Sequence, residues 1–298
     1  MTPPDILVGT ASFADRGLLA TGRFYPPALP AAGRLPWYAR HFPLVEVDAT
    51  YYGLPDAQVT HGWALRTPED FTINVKAFRA LTGHPTPVRA LPAELRAPLD
   101  AAPQDIVLPD ALPGPVLREL WQRFSVGIEP LRQAGRLGAV LCQLPGWVRA
   151  DARGQAQVMA CARGLEGHLP AIEFRHRSWF ADARATARTL GLLRDIGAVH
   201  VVVDAPQVGE RTVPAIWEAT HPDVAMVRLH GRNAAAWAHG GARSSGRFDY
   251  VYSPQELAEL ADATRLLAAR ARRTHVVLNT NHADQGVVNA QAFTQALG

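Results

Sequence analysis

Cysteine is scarce. The chain of 298 residues holds only Cys142 and Cys161 and no Cys-x-x-Cys pair. That excludes a disulfide framework and makes a reducing cytoplasm the expected compartment. Long apolar runs are missing too. None approaches the ~18 residues of a membrane span, so no membrane partner is expected. The opening MTPPDILVGT has neither a basic segment nor a long apolar one, and no signal peptide is expected. Neither sign of charge dominates, with 30 Lys and Arg against 27 Asp and Glu, a formal net charge of +3 and a pI near 9.1. Such a balance permits an anionic ligand but lacks the broad basic footprint of a duplex-binding protein. Three catalytic signatures are absent: a Walker-type loop, an HExxH pair and a GxSxG elbow.

What is present is a long alternation of two element types. Eight short runs read as strands: Ile6–Thr10, Leu44–Asp48, Phe71–Lys76, Ala139–Leu144, Ala171–Arg175, Val199–Asp204, Ala225–His230 and His275–Asn279. Helical segments are expected at Arg34–Phe42, Asp56–Arg66, Pro115–Ala134, Ala152–Leu165, Asp182–Asp195, Ser253–Arg272 and Val288–Leu297, with a short piece at Pro214–Ala219. The sixth of these opens SPQE, a serine cap with proline at the first helical position and glutamate at the third. Eight strands alternating with helices predict a (β/α)8 TIM-type barrel occupying residues 1–298 as a single domain. A doubly wound open sheet is the alternative fold. Residues 84–115, between the third and fourth strands, are rich in proline, which forbids a long regular helix. They read as an insertion on the barrel side or as a rim or lid at its mouth.

Side chains on a strand alternate faces, which splits each run into two sets. Val45, Ile73, Val75, Ile172, Phe174, Val227 and Leu229 form apolar sets suited to face surrounding helices. Glu46, Asp48, Asn74, Lys76, Glu173, Arg175, Arg228 and His230 then face the lumen, with Gln143, Asp204 and Asn279 at strand ends. Most barrels of this kind fill the lumen with branched apolar residues, and their active sites lie at the carboxyl ends of the strands. A buried charge left unpaired costs several kcal/mol, so these near-balanced signs predict an internal ion-pair network. The bland alternative is that the network is purely structural. Cys142, opposite in parity to Gln143, is expected to fill space toward a helix. His176 and Arg177 are expected to begin the segment after the fifth strand, with Trp179 plugging the turn.

The ordered motifs VGTASF…GRFYP, VEVDATYYGLP, FTINVKAFRALTGH, LGAVLCQLPGW, AIEFRHRSW, MVRLHGRNAAAW, FDYVYSPQEL and NHADQGVVNA resemble the YecE-like proteins, domain-of-unknown-function family 72. The resemblance runs from Val8 to about Ala292. It implies a TIM-type barrel and supplies no reaction. Relatives commonly read GTSGW where this chain has Gly9-Thr10-Ala11-Ser12-Phe13. They usually carry two adjacent asparagines where Asn279 and Asn281 here flank Thr280.

Three chemistries fit the lumen set. The first is acid–base work by Glu46, Lys76, Glu173, Asp204 and His230, since crowded charges shift pKa values toward the working pH. The second is a divalent metal at Glu173, Asp204 and His230, a carboxylate and imidazole set similar to that of xylose-isomerase-like barrels. Arg175 and Arg228 would compete for those carboxylates, and no cofactor is predicted. The third is phosphate recognition by the glycine-rich segment after the seventh strand, which holds Arg228, Arg232, Asn233, Arg243, Ser244, Ser245 and Arg247. Arg243 and Arg247 read rather as solvated loop residues. Asp48, Tyr52, Asn74, Gln143, Arg175, Arg228, Arg232, Asn233, Trp237 and Asn279 are the expected substrate contacts, Tyr52 and Trp237 as pocket walls. Together these point to an enzyme acting on a small polar, anionic substrate such as a phosphorylated sugar or nucleotide fragment. A nucleic-acid-binding or phosphodiester-processing protein and a ligand-sensing binding protein stand as alternatives.

Overall fold

In the computed structural model, which describes residues 5–99, 101–238 and 244–298, eight parallel strands close into a barrel. They are β1 Asp5–Ala11, β2 Leu44–Val47, β3 Thr72–Lys76, β4 Leu137–Gln143, β5 Pro170–Glu173, β6 Val199–Asp204, β7 Val224–Leu229 and β8 Arg273–Leu278. Around the barrel the order is β1-β8-β7-β6-β5-β4-β3-β2, so each strand lies beside its sequence neighbour and β8 closes on β1. All eight expected strands form, as does the TIM-type barrel expected of them.

The main helices are α1 Arg16–Thr21, α2 Arg34–Ala39, α3 Ala57–Leu65, α4 Gly114–Gln133, α5 Ala152–Gly164, α6 Ala183–Asp195, α7 Pro254–Ala268 and α8 Gln285–Leu297. Their starts are chemically marked. Asp15, Asp56, Asp151 and Asp182 accept from the first free amides of α1, α3, α5 and α6. Ser253 and Glu256 make a reciprocal capping box on α7. Among the described residues no helix is long and apolar enough to cross a membrane.

Two expectations change. Residues 214–219 form no helix. The Ile216 carbonyl there accepts from Glu218 N at 2.9 Å and pairs with His200 Nε2 at 3.1 Å, across the chain instead of along a helix. Short helical pieces at Ala234–Ala238 and Ser244–Arg247, and α1 itself, had no apolar period to announce them. The proline-rich segment forms single turns and a two-stranded antiparallel ribbon, Thr86–Pro87 with Ile106–Val107. Val88, Leu91, Val107 and Leu112 bury it in the core. Ion pairs from Glu94 to Arg123 on α4 and from Asp110 to Arg153 on α5 fix it beside those helices.

Strand register settles which residues face inward. Neighbours across a parallel ladder share a face. Ala11 pairs with Glu46, Glu46 with Asn74, Lys76 with Leu141 and Gln143 with Glu173. Leu44, Leu141, Val201, Met226 and Val277 carry the same parity and make an apolar floor. Cys142 has the opposite parity and meets Cys161 of α5, as expected of a filler.

Candidate functional site

Above the apolar floor, one polar contact seals the lumen. Asn74 Oδ1 accepts from Ala139 N at 2.9 Å and meets His275 Nδ1 at 3.1 Å. It lies where β4 slips register against β3, and Gly138 makes room for it. A Cβ at Gly138 would come within 2.3 Å of Asn74 Oδ1. Burial, with Arg273, lowers the His275 pKa to about 3. The ring is therefore neutral and donates through Nδ1. Asn74 was expected to touch substrate. It is fully buried, with Oδ1 bonded and Nδ2 without a hydrogen-bond partner.

The next layer is ionic. Arg228, 1% exposed, reaches from β7 across the lumen. Its Nη2 donates to Glu46 Oε1 of β2 at 2.7 Å, and its Nη1 donates to Glu173 Oε2 of β5. Glu173 Oε1 also accepts from Arg175 Nε. Burial opposes the charge on Glu173, but Arg175 and Arg228 overcome it and hold the carboxyl well below its usual range. Burial likewise opposes the charge on Arg228, yet Glu173 and Glu46 raise its pKa further. The two arginines pair with both carboxylates, while Glu46 Oε2 and Arg228 Nε are buried without a hydrogen-bond partner.

His230 sits beside it, completely buried. Arg175 Nη2 lies 3.1 Å from Nε2, and the Asn279 amide lies 2.7 Å from Nδ1. Burial first, then Arg175, depresses its pKa to about 3, so the ring is neutral. An arginine only donates, so Nε2 is the acceptor and Nδ1 carries the proton. Asn279 must then turn its oxygen toward the ring.

The mouth lies above. Lys76 Nζ donates to Gln143 Oε1 at 3.1 Å and stands 4.6 Å from the Tyr51 ring centre. Burial, then the Arg228 charge, lowers its pKa to about 8, against the opposite pull of Glu46 and Glu173. Arg79 stacks over the other part of Tyr51 at 5.3 Å. His84 packs edge-on to Tyr51 and Trp147. Burial, then Lys76, Arg79 and Arg175, lowers the His84 pKa to about 3, so the field at this rim is cationic. On the far side Trp237 covers Arg175 at 5.7 Å and, with Phe248, flanks His230. Trp179, by contrast, is buried on Phe174 with its Nε1 donating to Val148 O, plugging the turn as expected.

A cleft of about 1220 Å³ opens beside this mouth, where β1 and β2 end, lined by Ser12, Asp15, Asp48, Tyr52, Trp63 and His282 among others. Burial raises the Asp48 pKa to about 6 against the pull of Lys76, and Glu46 and Asp15 add to the rise. Tyr52 is 65% exposed and meets Tyr51 edge to face. Among the described residues, Ser12 and Ala283 are the non-glycine positions with positive φ, 99° and 50°, and both line this cleft. Such backbone costs of order 1–3 kcal/mol and collects at functional sites. The Ser12 amide is held by Glu46 O at 2.8 Å.

Other expected site residues lie elsewhere. Asp204 pairs in register with Leu229 and Val203 with Arg228, so Asp204 has the outward parity. It accepts from Arg232 Nη2 at 2.8 Å and from Tyr252 Oη at 2.7 Å. Arg232 also meets Glu256 of α7, which makes a second polar cluster outside the lumen. Glu173, Asp204 and His230 therefore do not converge. No three of His, Cys, Asp and Glu among the described residues form a group that could hold a metal ion. Asn233 is spent on its own loop, bonding Asp249 O and Ala236 N. Arg228 has no surface left for a ligand. The phosphate set is thus dispersed. Arg243 lies outside the described residues, and so do the side chains of Ser244 and Ser245.

The strand pattern missed Arg79, His84 and Trp147, which sit in turns without periodicity. For Lys76 a simpler signal existed. It is the single lysine in the chain, the other basic residues among the 30 being arginines.

The family profile described as "Protein of unknown function DUF72" matches residues 7–298. "UPF0759 protein YunF" of Bacillus subtilis (strain 168) is 29% identical over 296 residues, spanning 98% of this chain and 94% of that protein. A crystal structure of a DUF72 family protein from Enterococcus faecalis V583 is similar at 26% identity and TM-score 0.78, covering 98% of this chain and 95% of that one. Another, from Thermotoga maritima MSB8, is similar at 27% identity and TM-score 0.76, covering 98% and 99%.

Proposed function

The chain belongs to the DUF72 family of proteins of unknown function, and on the barrel it shares with that family we propose an enzyme that acts on a small, polar, anionic substrate by acid–base chemistry at the carboxyl ends of the strands. The carrying observation is the distribution of charge at the mouth. Glu46 and Glu173 are ion-paired with Arg228 and Arg175. Among the described residues Lys76 and Arg79 form no ion pair with a carboxylate, and Arg79 Nε is buried without a partner. A cationic rim walled by Tyr51, Trp147 and Trp237 suits the phosphate or carboxylate of a sugar phosphate or nucleotide-like molecule.

In this reading the ionic layer is a fixed floor. Glu173 is held ionised and His230 neutral, because both pKa values are pushed down, so neither exchanges a proton near pH 7. Lys76 and Asp48, with pKa values near 8 and 6, are the groups suited to proton transfer. Tyr52 and the cleft at Asp48 supply the rest of the pocket. Nucleic acid would ask for a long basic groove, whereas this cleft carries Asp15 and Asp48. The free cysteines Cys142 and Cys161 suit work in the cytoplasm.

The test is a calorimetric screen of sugar phosphates, nucleoside phosphates and small carboxylates against the full chain. Binding that weakens 10- to 100-fold in both Lys76→Met and Arg79→Ala supports the reading. Ligands whose affinity is the same in both variants and the parent protein would overturn it.

A further inference from the structure

We propose that Lys76 is an imine-forming nucleophile, condensing with the carbonyl carbon of an anionic aldehyde or ketone held at the barrel mouth. This rests on the reading of the mouth as an anion site and names the substrate class: a carbonyl compound bearing a phosphate or carboxylate.

Two independent observations carry it. The first is compositional. Everywhere else the chain meets its need for positive charge with arginine, and lysine occurs once, at position 76. Arginine holds a charge as well or better, but its guanidinium stays protonated and forms no imine under these conditions. A role satisfied by charge alone would not need the exception. The second is geometric. Lys76 ends β3 at the carboxyl face and is partly exposed to the mouth. It makes no salt bridge with any carboxylate of the described residues, although Glu46 and Glu173 stand in the same lumen. Both of those are tied to arginine. The Tyr51 face lies on one side of Nζ and Gln143 Oε1 takes one N–H, and no carboxylate among the described residues pairs with the nitrogen. Burial beside Arg228 keeps the deprotonated amine accessible near pH 8, the means by which lysine nucleophiles are activated.

The step balances without a further reagent. The Lys76 nitrogen lone pair attacks the carbonyl carbon, and the carbonyl oxygen takes a proton to give a carbinolamine. The nitrogen lone pair then expels that oxygen as water, and the net change is amine plus carbonyl to imine plus water. Asp48, close enough for its charge to act on Lys76, is suited to pass the protons. Arg79 and Arg175 would hold the anionic group.

The experiment is reductive trapping on the full chain. Protein is incubated with glyceraldehyde 3-phosphate or with pyruvate, reduced with sodium cyanoborohydride, and read by intact mass and peptide mapping. The two probes separate phosphate from carboxylate recognition. A pKa near 8 instead of 10.5 raises the neutral amine fraction at pH 7 about 300-fold, so adduct formation should outpace that on free Nα-acetyl-lysine by at least about 100-fold. The expected result is one adduct at Lys76, saturable with probe and suppressed by the unreactive analogues glycerol 3-phosphate or lactate. Lys76→Arg should lose the adduct while still binding the analogue. An adduct confined to the terminal amine overturns the proposal, as does a Lys76 adduct that grows linearly with probe and ignores the analogues. If an analogue binds and no Lys76 adduct forms, the imine fails and the anion site stands. If no analogue binds and no adduct forms, both fail together.

Discussion

Replacing Arg228 with methionine removes the cation that spans the lumen while nearly preserving volume. Glu173 keeps Arg175, but Glu46 keeps nothing. Its Oε1 loses the 2.7 Å bond from Arg228, and its Oε2 already has no protein partner. Both carboxylates are completely buried. Removing one member of a buried pair costs about 3–5 kcal/mol, because the remaining charge is left uncompensated. At roughly 2–4 °C per kcal/mol for a chain of this class, the melting temperature should fall by about 6–20 °C at pH 7. An isolated buried carboxylate escapes its penalty by taking up a proton, so the deficit should shrink as pH falls toward the ordinary carboxylate range. Adding Glu46→Leu should restore most of the loss. Thermal unfolding followed by circular dichroism and calorimetry from pH 4 to 8 reads all of this. An Arg228→Met protein melting within about 2 °C of the parent, with no gain from the second substitution, would refute the account of the ionic layer.

Two further outcomes follow from the cleft. The Asp48 pKa rises on folding from 3.8 to about 6, so the fold favours its neutral form. The resulting penalty is absent below the ordinary pKa and complete above about pH 6. Asp48→Asn should therefore match the parent at acid pH and exceed it by about 1–2 kcal/mol at pH 8, less than the full shift implies because part of the side chain meets solvent; denaturation curves at the two pH values check it, and a pH-independent difference would count against it. Ser12 holds φ 99°, a backbone conformation that favours glycine. Ser12→Gly should gain about 1 kcal/mol from relieved strain, less a few tenths for the Oγ bond to Ala14 N, and a loss of stability in a melting experiment would show that the Ser12 side chain matters more than its backbone.

The sequence revealed the parts of the site that obey a period. In AIEFR and MVRLH, polar and apolar residues alternate, and Glu173, Arg175, Arg228 and His230 came together as that alternation required. VHVVVD does not alternate. With apolar residues on both faces its parity cannot be read, and Asp204 proved to point outward because Val199, Val201 and Val203 take the inward places. The rim was illegible for another reason. Arg79, His84 and Trp147 lie on turns, where direction is set by tertiary packing. The eight strands were easier, since most of the buried runs are bounded by proline, glycine or an aspartate helix cap.

Arg228 carries one more consequence, for how the chain assembles. Its two partners come from β2, in the first quarter of the sequence, and β5, past the middle, while Arg228 itself arrives on β7. Until β7 docks, Glu46 and Glu173 lack the cation that joins them. A one-residue slip of β2 would turn Glu46 out of the lumen and leave the guanidinium half satisfied. The ionic layer thus acts as a checkpoint on closure. Half-barrel fragments would expose unmatched charge at their centre, and the barrel should fold as one cooperative unit whose register is verified only when its last strands arrive.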